Sequence, residues 1–185
     1  FAIYGLSEYY RAANDNNALQ IAIELFYTIE KYSFDKLRNG YWEAFSEDWK
    51  MMSDMRLSEK DANEKKTMNT NLHIMEAYTN LYRCRPDEKI KQQIKNLIEI
   101  FLQHIIDPET FHLHLFFDES WNVKGNIISF GHDIEASWLL MEAAEAVDDK
   151  LLIEKVKKVS LQMASAVLIG LDKDGGLKNE LTGTH

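Results

Sequence analysis

The sequence predicts an all-α protein: helical hairpins stacked into a closed α/α toroid, of which these 185 residues cover about half. Three observations carry this. Only two prolines and eight glycines interrupt the chain. Apolar residues recur at i, i+3 and i+4 spacing over six segments, the period of an amphipathic helix. Finally, the long connections between pairs of these segments repeat an aromatic pattern. With 45% hydrophobic and 28% charged residues, the composition is that of a globular domain, read as a single domain over residues 1–185.

The first helix is expected over Ala2–Ala13. It opens directly on FAIYGLSEYYRAA, without an initiator Met or a signal peptide, so the chain reads as a piece of a longer protein. A second helix is expected over Ala18–Tyr32 and a third over Glu64–Cys84. The fourth follows Pro86, which suits a first helical turn, and runs to Ile106 with Leu97, Ile100, Phe101 and His104 in one stripe. The fifth covers Asp133–Val147. The sixth covers Leu151–Ile169 and carries Leu152, Val156 and Val159. The chain closes on the loop sequence NELTGTH.

Thirty acidic against 21 basic residues give a formal net charge of -9. That argues against nucleic acid or an anionic membrane as partner, since phosphate surfaces demand Lys and Arg. No apolar run reaches the roughly 20 residues a bilayer span needs. The single cysteine, Cys84, has no internal disulfide partner. It reads as a small buried hydrophobe in a reducing compartment, which makes a cytoplasmic location the expectation.

The connection Gly40-Tyr41-Trp42-Glu43-Ala44-Phe45-Ser46-Glu47-Asp48-Trp49 and the connection Phe111 to Trp121 both end in Phe-x-Glu-x-Trp, their final tryptophans 72 residues apart. Asp172 to Leu177 opens a third copy. Aromatic alternation with turn residues predicts short strands or β-hairpins here. The repeated unit is therefore helix, short turn, helix, long loop. A helical pair that cannot bury its own faces stacks on its neighbours. With all long loops on one side, a ring of six pairs fits, about twice this length.

Candidate chemistry lies at the N-terminal ends of the first helices of each pair. Asn69, His73 and Glu76 fall at i, i+4 and i+7 on one helical face, and His132 and Glu135 at i and i+3 on another. Each has a plainer reading. A lone histidine on an inner helix is commonly a satisfied core or capping residue, Asp133 can cap its helix, and Ser129-x-x-His132 can simply start one. Two such clusters at matching places in a repeat point to a shared site in the ring's axial cavity. His112-x-His114 places two imidazoles on one side of a strand, but without a third ligand nearby no metal is expected. Glu43 to Asp48 and Glu59 to Lys66 read as charge-rich solvated loops. Trp42, Trp49 and Trp121 suit either stacking on sugar rings or plugging the spaces between hairpins.

The stretches KDANEKKTMNTNLHIMEAYTNLY and SFGHDIEASWLL, with FAIYGLSEYYRAA and DPETFHLHLFFDESW, resemble the acylglucosamine 2-epimerase superfamily, specifically its cellobiose 2-epimerase branch, from end to end. The segment Met68 to His73 favours that branch. The resemblance implies an (α/α)6 barrel and a cofactor-free epimerase. Its small-molecule substrate would be a β-1,4-linked disaccharide, inverted at C2 of the reducing-end glucose. By motif, His132 resembles one of two catalytic histidines and Glu135 its supporting carboxylate. Asp61, Asn69 and His73 resemble sugar-hydroxyl contacts. The family's second catalytic histidine, its paired tryptophans and an N-terminal arginine have no counterpart in this sequence. On the same fold, an N-acylglucosamine epimerase, a mannose isomerase or a non-catalytic sugar-binding scaffold are the alternatives.

Overall fold

The computed structural model describes residues 1–56, 59 and 61–182. Lys60, at the head of one motif, and residues 183–185 at the end of the closing loop lie outside the described residues. Among the described residues, six α-helices form three antiparallel pairs: α1 (Ala2–Ala13) with α2 (Asn16–Tyr32), α3 (Met68–Cys84) with α4 (Glu88–Ile100), and α5 (Phe130–Val147) with α6 (Lys150–Ala166). Helices α1, α3 and α5 pack on one another as an inner row, and α2, α4 and α6 lie outside them. The inner helix α3 is accordingly buried almost all round, from Met68 and Leu72 through Met75 and Tyr78 to Leu81. Only one stripe of α6 is covered, at Leu152, Val156 and Met163. Among the described residues, no helix is long and apolar enough to cross a membrane.

Each pair turns on an aspartate. Asp15, Asp87 and Asp149 are the N-caps of α2, α4 and α6, their carboxylates accepting from the first free backbone N–H groups of each helix. Two of these turns place the preceding residue, Asn14 or Asp148, in the left-handed conformation. Pro86 lies one residue ahead of the cap, not in the first turn as expected.

Several helix boundaries differ from the sequence reading: the second helix starts at Asn16 rather than Ala18, and the sixth runs Lys150–Ala166 and passes into a 3-10 turn, Val167–Gly170, where the sequence predicts Leu151–Ile169. The third helix starts at Met68 rather than near Glu64. Lys66–Thr67 is instead drawn into a short antiparallel strand, β1, which pairs with β2 (Phe116–Phe117), and Thr67 caps the helix. The fourth ends at Ile100 and passes into a single π-helical turn, Phe101–Ile105. The fifth begins three residues early, at Phe130, because β4 (Ile127–Ser129) delivers the chain straight into it. Strand β2 also pairs with β3 (Val123–Lys124), and β4 with β5 (Glu180–Thr182).

The loop repeat is a backbone repeat. Phe34 bridges Tyr41 as Ile106 bridges Leu113, and Asp35 and Asp107 each accept from two backbone N–H groups of the turn that follows. The second half of each loop recurs as well. Phe45 bridges Met51, Phe117 pairs Val123, and Leu171 bridges Leu177, with Trp49, Trp121 and Gly175 all left-handed at the same turn position. The third copy thus has only this second turn. The tryptophans diverge in use. Trp121 is 8% exposed, stacked on His104, with its indole N–H donating to the Arg38 carbonyl. Trp49 is 39% exposed and stacks on Tyr32. Gly40 is obligatory beside Trp121: its φ is 79°, and an added Cβ would come within 2.3 Å of the indole ring.

Candidate active site

The N-terminal ends of α3 and α5 open onto one cleft of about 300 Å³. Three of the five residues singled out from the sequence line it: Asp61, Asn69 and His132. Asp61 comes from the loop before β1, Asn69 from the first turn of α3 and His132 from the first turn of α5. Glu43, Thr67, Phe116 and Glu180 complete much of the wall.

His132 is fixed by its own helix start. Ser129 occupies the N-cap position of α5, yet its side chain makes no cap hydrogen bond. Its Oγ lies 2.8 Å from His132 Nδ1 instead, which leaves Nε2 as the nitrogen available for chemistry. The sequence reading expected Glu135 to hold this ring. Among the described residues no hydrogen bond joins them. Helical side chains lean toward the N-terminus, so the His132 ring swings down onto Ser129 and away from the residue one turn later. Glu135 itself is half-buried on the same face.

Asp133, adjacent to His132, does not cap the helix. It is fully buried and reaches across to the second long loop, accepting from the Leu113 backbone N–H at 2.8 Å and meeting His112 Nδ1 at 2.7 Å. Burial pushes its carboxyl above the ordinary carboxylate value, and the His112 and Leu113 hydrogen bonds pull it partly back. His112 is thereby committed to Asp133, while His114 faces Asp107 at 3.5 Å. Among the described residues, no group of three or more His, Cys, Asp or Glu stands in metal-binding arrangement.

His73 faces elsewhere. Its Nδ1 lies 3.0 Å from Glu76 Oε2, and its ring packs 4.8 Å from that of Phe1, in a neighbouring hollow. Asn69 is the residue that lines both hollow and cleft.

Two features escaped the sequence reading. Glu43 lines the cleft, although its loop reads as merely solvated. Glu43 lies 72 residues before Leu115, which lines the same cleft, but the repeat by itself does not say that this position faces a cleft. Burial raises the Glu43 carboxyl; the Thr67 and Thr70 hydroxyls lower it in part, and the charge of Asp61 adds to the rise. Lys66 is the other. It is completely buried, its ammonium donating to Asp35 Oδ2 at 2.9 Å and to the Asn39 and Glu119 carbonyls at 2.6 and 3.0 Å, over the faces of Trp42 and Trp121. One lysine therefore ties both long loops to the start of α3. Nothing in a charge-rich stretch marks which lysine will be buried.

The family model for N-acylglucosamine 2-epimerase (GlcNAc 2-epimerase) matches residues 1–181. A protein named cellobiose 2-epimerase from Bacteroides fragilis is 54% identical over 99% of this chain. Among solved structures, a sugar epimerase from a ruminal bacterium and the cellobiose 2-epimerase of Bacillus thermoamylovorans B4167 each superpose over 97% of the chain with a TM-score of 0.91 at 38% identity. The chain spans about half the length of these relatives: 47% of the first and 46% of each of the two structures. The all-α hairpin architecture and the match across nearly every residue give the conclusion directly: this chain belongs to the N-acylglucosamine 2-epimerase family.

Proposed function

We propose that the protein containing this chain is a carbohydrate epimerase. It inverts C2 of the reducing-end glucose of β-1,4-linked disaccharides, converting cellobiose to glucosyl-mannose. One observation carries the reading: a histidine with one free ring nitrogen, His132, shares a sugar-sized cleft with Asp61 and Asn69 at the mouths of two inner helices. Its match at 54% identity to a cellobiose 2-epimerase supports the substrate. In this reading the chain is one half of an (α/α)6 barrel forming a single domain.

The chemistry follows from the acidity of hydrogen next to a carbonyl, which exists only once the sugar ring has opened to the aldehyde. Removing the C2 proton gives an enediolate, and returning one to the other face inverts the centre. Each step needs a group that takes or gives a proton near neutral pH, the natural range of imidazole. For His132 Nε2 to accept the proton, Nδ1 must carry the hydrogen and donate it to Ser129 Oγ. Glu135, one turn along the same face, supplies a carboxylate toward the imidazolium that forms. Asn69 and Asp61 hold sugar hydroxyls, with His73 contributing from the adjoining hollow. Donors near the carbonyl oxygen stabilise the charge that develops there. The opposite face of the sugar is served by a second histidine from the other half of the barrel.

The test is proton NMR of cellobiose in D2O with the full-length protein. Deuterium entering C2 with appearance of the manno epimer is the expected result. Appearance of a ketose would make the enzyme an isomerase, and turnover of N-acetylglucosamine alone would move the substrate. No exchange with cellobiose, lactose, mannose or N-acetylglucosamine would overturn the reading.

A further inference from the structure

We infer that Glu43 is a substrate-positioning residue of this cleft, its carboxylate accepting hydrogen bonds from sugar hydroxyls opposite His132; the inference rests on the sugar reading above. Three observations support it. Glu43 lines the cleft together with His132, Asn69 and Asp61. Its backbone is pinned there, since its N–H donates to the Lys65 carbonyl at 3.1 Å, directly before β1. And its carboxylate is oriented by the start of α3. The Thr67 hydroxyl already accepts from the Thr70 backbone N–H at 3.0 Å, so its single hydrogen is free to point only at Glu43, to which it donates.

A carboxylate has about four acceptor positions. The Thr67 hydroxyl engages one of them, and Glu43 lines the cleft beside the polar groups of Asp61, Asn69 and His132. Acceptors left without donors when a bound sugar displaces water are costly, whereas a sugar offers adjacent hydroxyls that can donate to carboxylate oxygens. The repeat sharpens this. The equivalent position of the second loop is Leu115, whose carbonyl receives the Met68 N–H at the other edge of β1. The two edges of β1 thus carry different residues at the repeat-equivalent position, and the acid stands on the edge where the Thr67 hydroxyl holds it.

The experiment measures both cellobiose binding, by saturation-transfer NMR, and C2 exchange in D2O, using the full-length protein and its Glu43→Ala and Glu43→Gln variants. Glu43→Gln keeps the volume and an oxygen for Thr67, so it holds the fold if the alanine variant does not. The expected result is KM and the dissociation constant raised about ten- to a hundredfold in Glu43→Ala, the range for a charge-assisted hydrogen bond, with kcat changed far less. Glu43→Gln should fall between. Cellobiose lacking the 3- or 6-hydroxyl of its reducing glucose should then lose affinity in the wild type but little further in Glu43→Ala, a coupling that a merely structural residue would not produce. Wild type that binds and turns over cellobiose, with Glu43→Ala binding within about twofold, overturns this inference and leaves the epimerase standing. Wild type that binds without exchange, with binding lost in Glu43→Ala, supports Glu43 and overturns the epimerase. Wild type that neither binds nor turns over the sugar overturns both.

Discussion

The starts of α3 and α5 are built from the same plan, and they differ in what anchors them. Each follows a short strand, carries a histidine within its first two turns, and is tied to a long loop by a buried carboxylate. At α3 the tie is a charge pair, Lys66 with Asp35, and the carboxylate belongs to the loop. At α5 the carboxylate, Asp133, belongs to the helix and takes an imidazole and a backbone N–H from the loop. Helical spacing alone makes the two histidines look equivalent. The anchors separate them: Ser129 turns His132 to the cleft, while Glu76 turns His73 to the adjoining hollow.

Breaking that comparison gives the largest effect. His132→Ala should lower C2 exchange on cellobiose by about 10²- to 10⁴-fold, the usual contribution of a general base, whereas His73→Ala should mainly raise KM by several-fold. Equal losses in kcat would make the two helix starts equivalent after all. Next come the anchors. Asp35→Asn leaves the Lys66 ammonium buried without its counter-charge and should cost about 3–5 kcal/mol in urea unfolding near neutral pH. Asp133→Asn retains an acceptor for Leu113 and should cost about 1–3 kcal/mol.

The same pair should respond to pH with opposite sign. Burial would raise the Asp35 carboxyl, but the Lys66 ammonium and the Leu37 and Arg38 backbone N–H groups together bring it below its ordinary value of 3.8. Its stabilisation is thus complete above that value and lost as pH falls through the lower, folded-state value. Asp133 is raised, so its contribution is present below 3.8 and lost as pH rises through the folded-state value. Unfolding free energies followed on both sides of 3.8 should therefore lose a fall on the acid side in Asp35→Asn and a fall on the alkaline side in Asp133→Asn. Parallel profiles for the two variants would show that the anchors are not electrostatically distinct.

A last contrast separates the two loops themselves, and its smaller member, Trp49→Ala, is the smallest effect expected. Trp121→Ala removes a ring packed on Lys66, His104 and Phe117 and should cost about 3–5 kcal/mol. Trp49→Ala, at the same repeat position but half in solvent, should cost under about 1 kcal/mol by thermal melting. Similar costs would mean that the repeat conserves energetics as well as backbone.

Much of this is legible in the sequence. The six helices, the 72-residue loop repeat and the histidine-bearing helix starts follow from periodicity and spacing, because a helix face and a turn are local properties of a few neighbouring residues. Helix starts shift from their periodic pattern where a strand competes: Lys66–Thr67 pairs with Phe116–Phe117, some 50 residues away, and no local pattern announces such a partner. The place of Glu43 in the cleft wall and the burial of Lys66 belong to the same class, whereas Ser129 lies only three residues from His132 and meets its ring because helical side chains lean toward the N-terminus. Sequence by itself determined the all-α hairpin architecture and which helix ends carry ionisable groups. The tertiary structure alone decided which of those groups meet in one cleft. A side chain's face follows from 3.6-residue periodicity, but what that face looks onto depends on loops that close over it from distant parts of the chain.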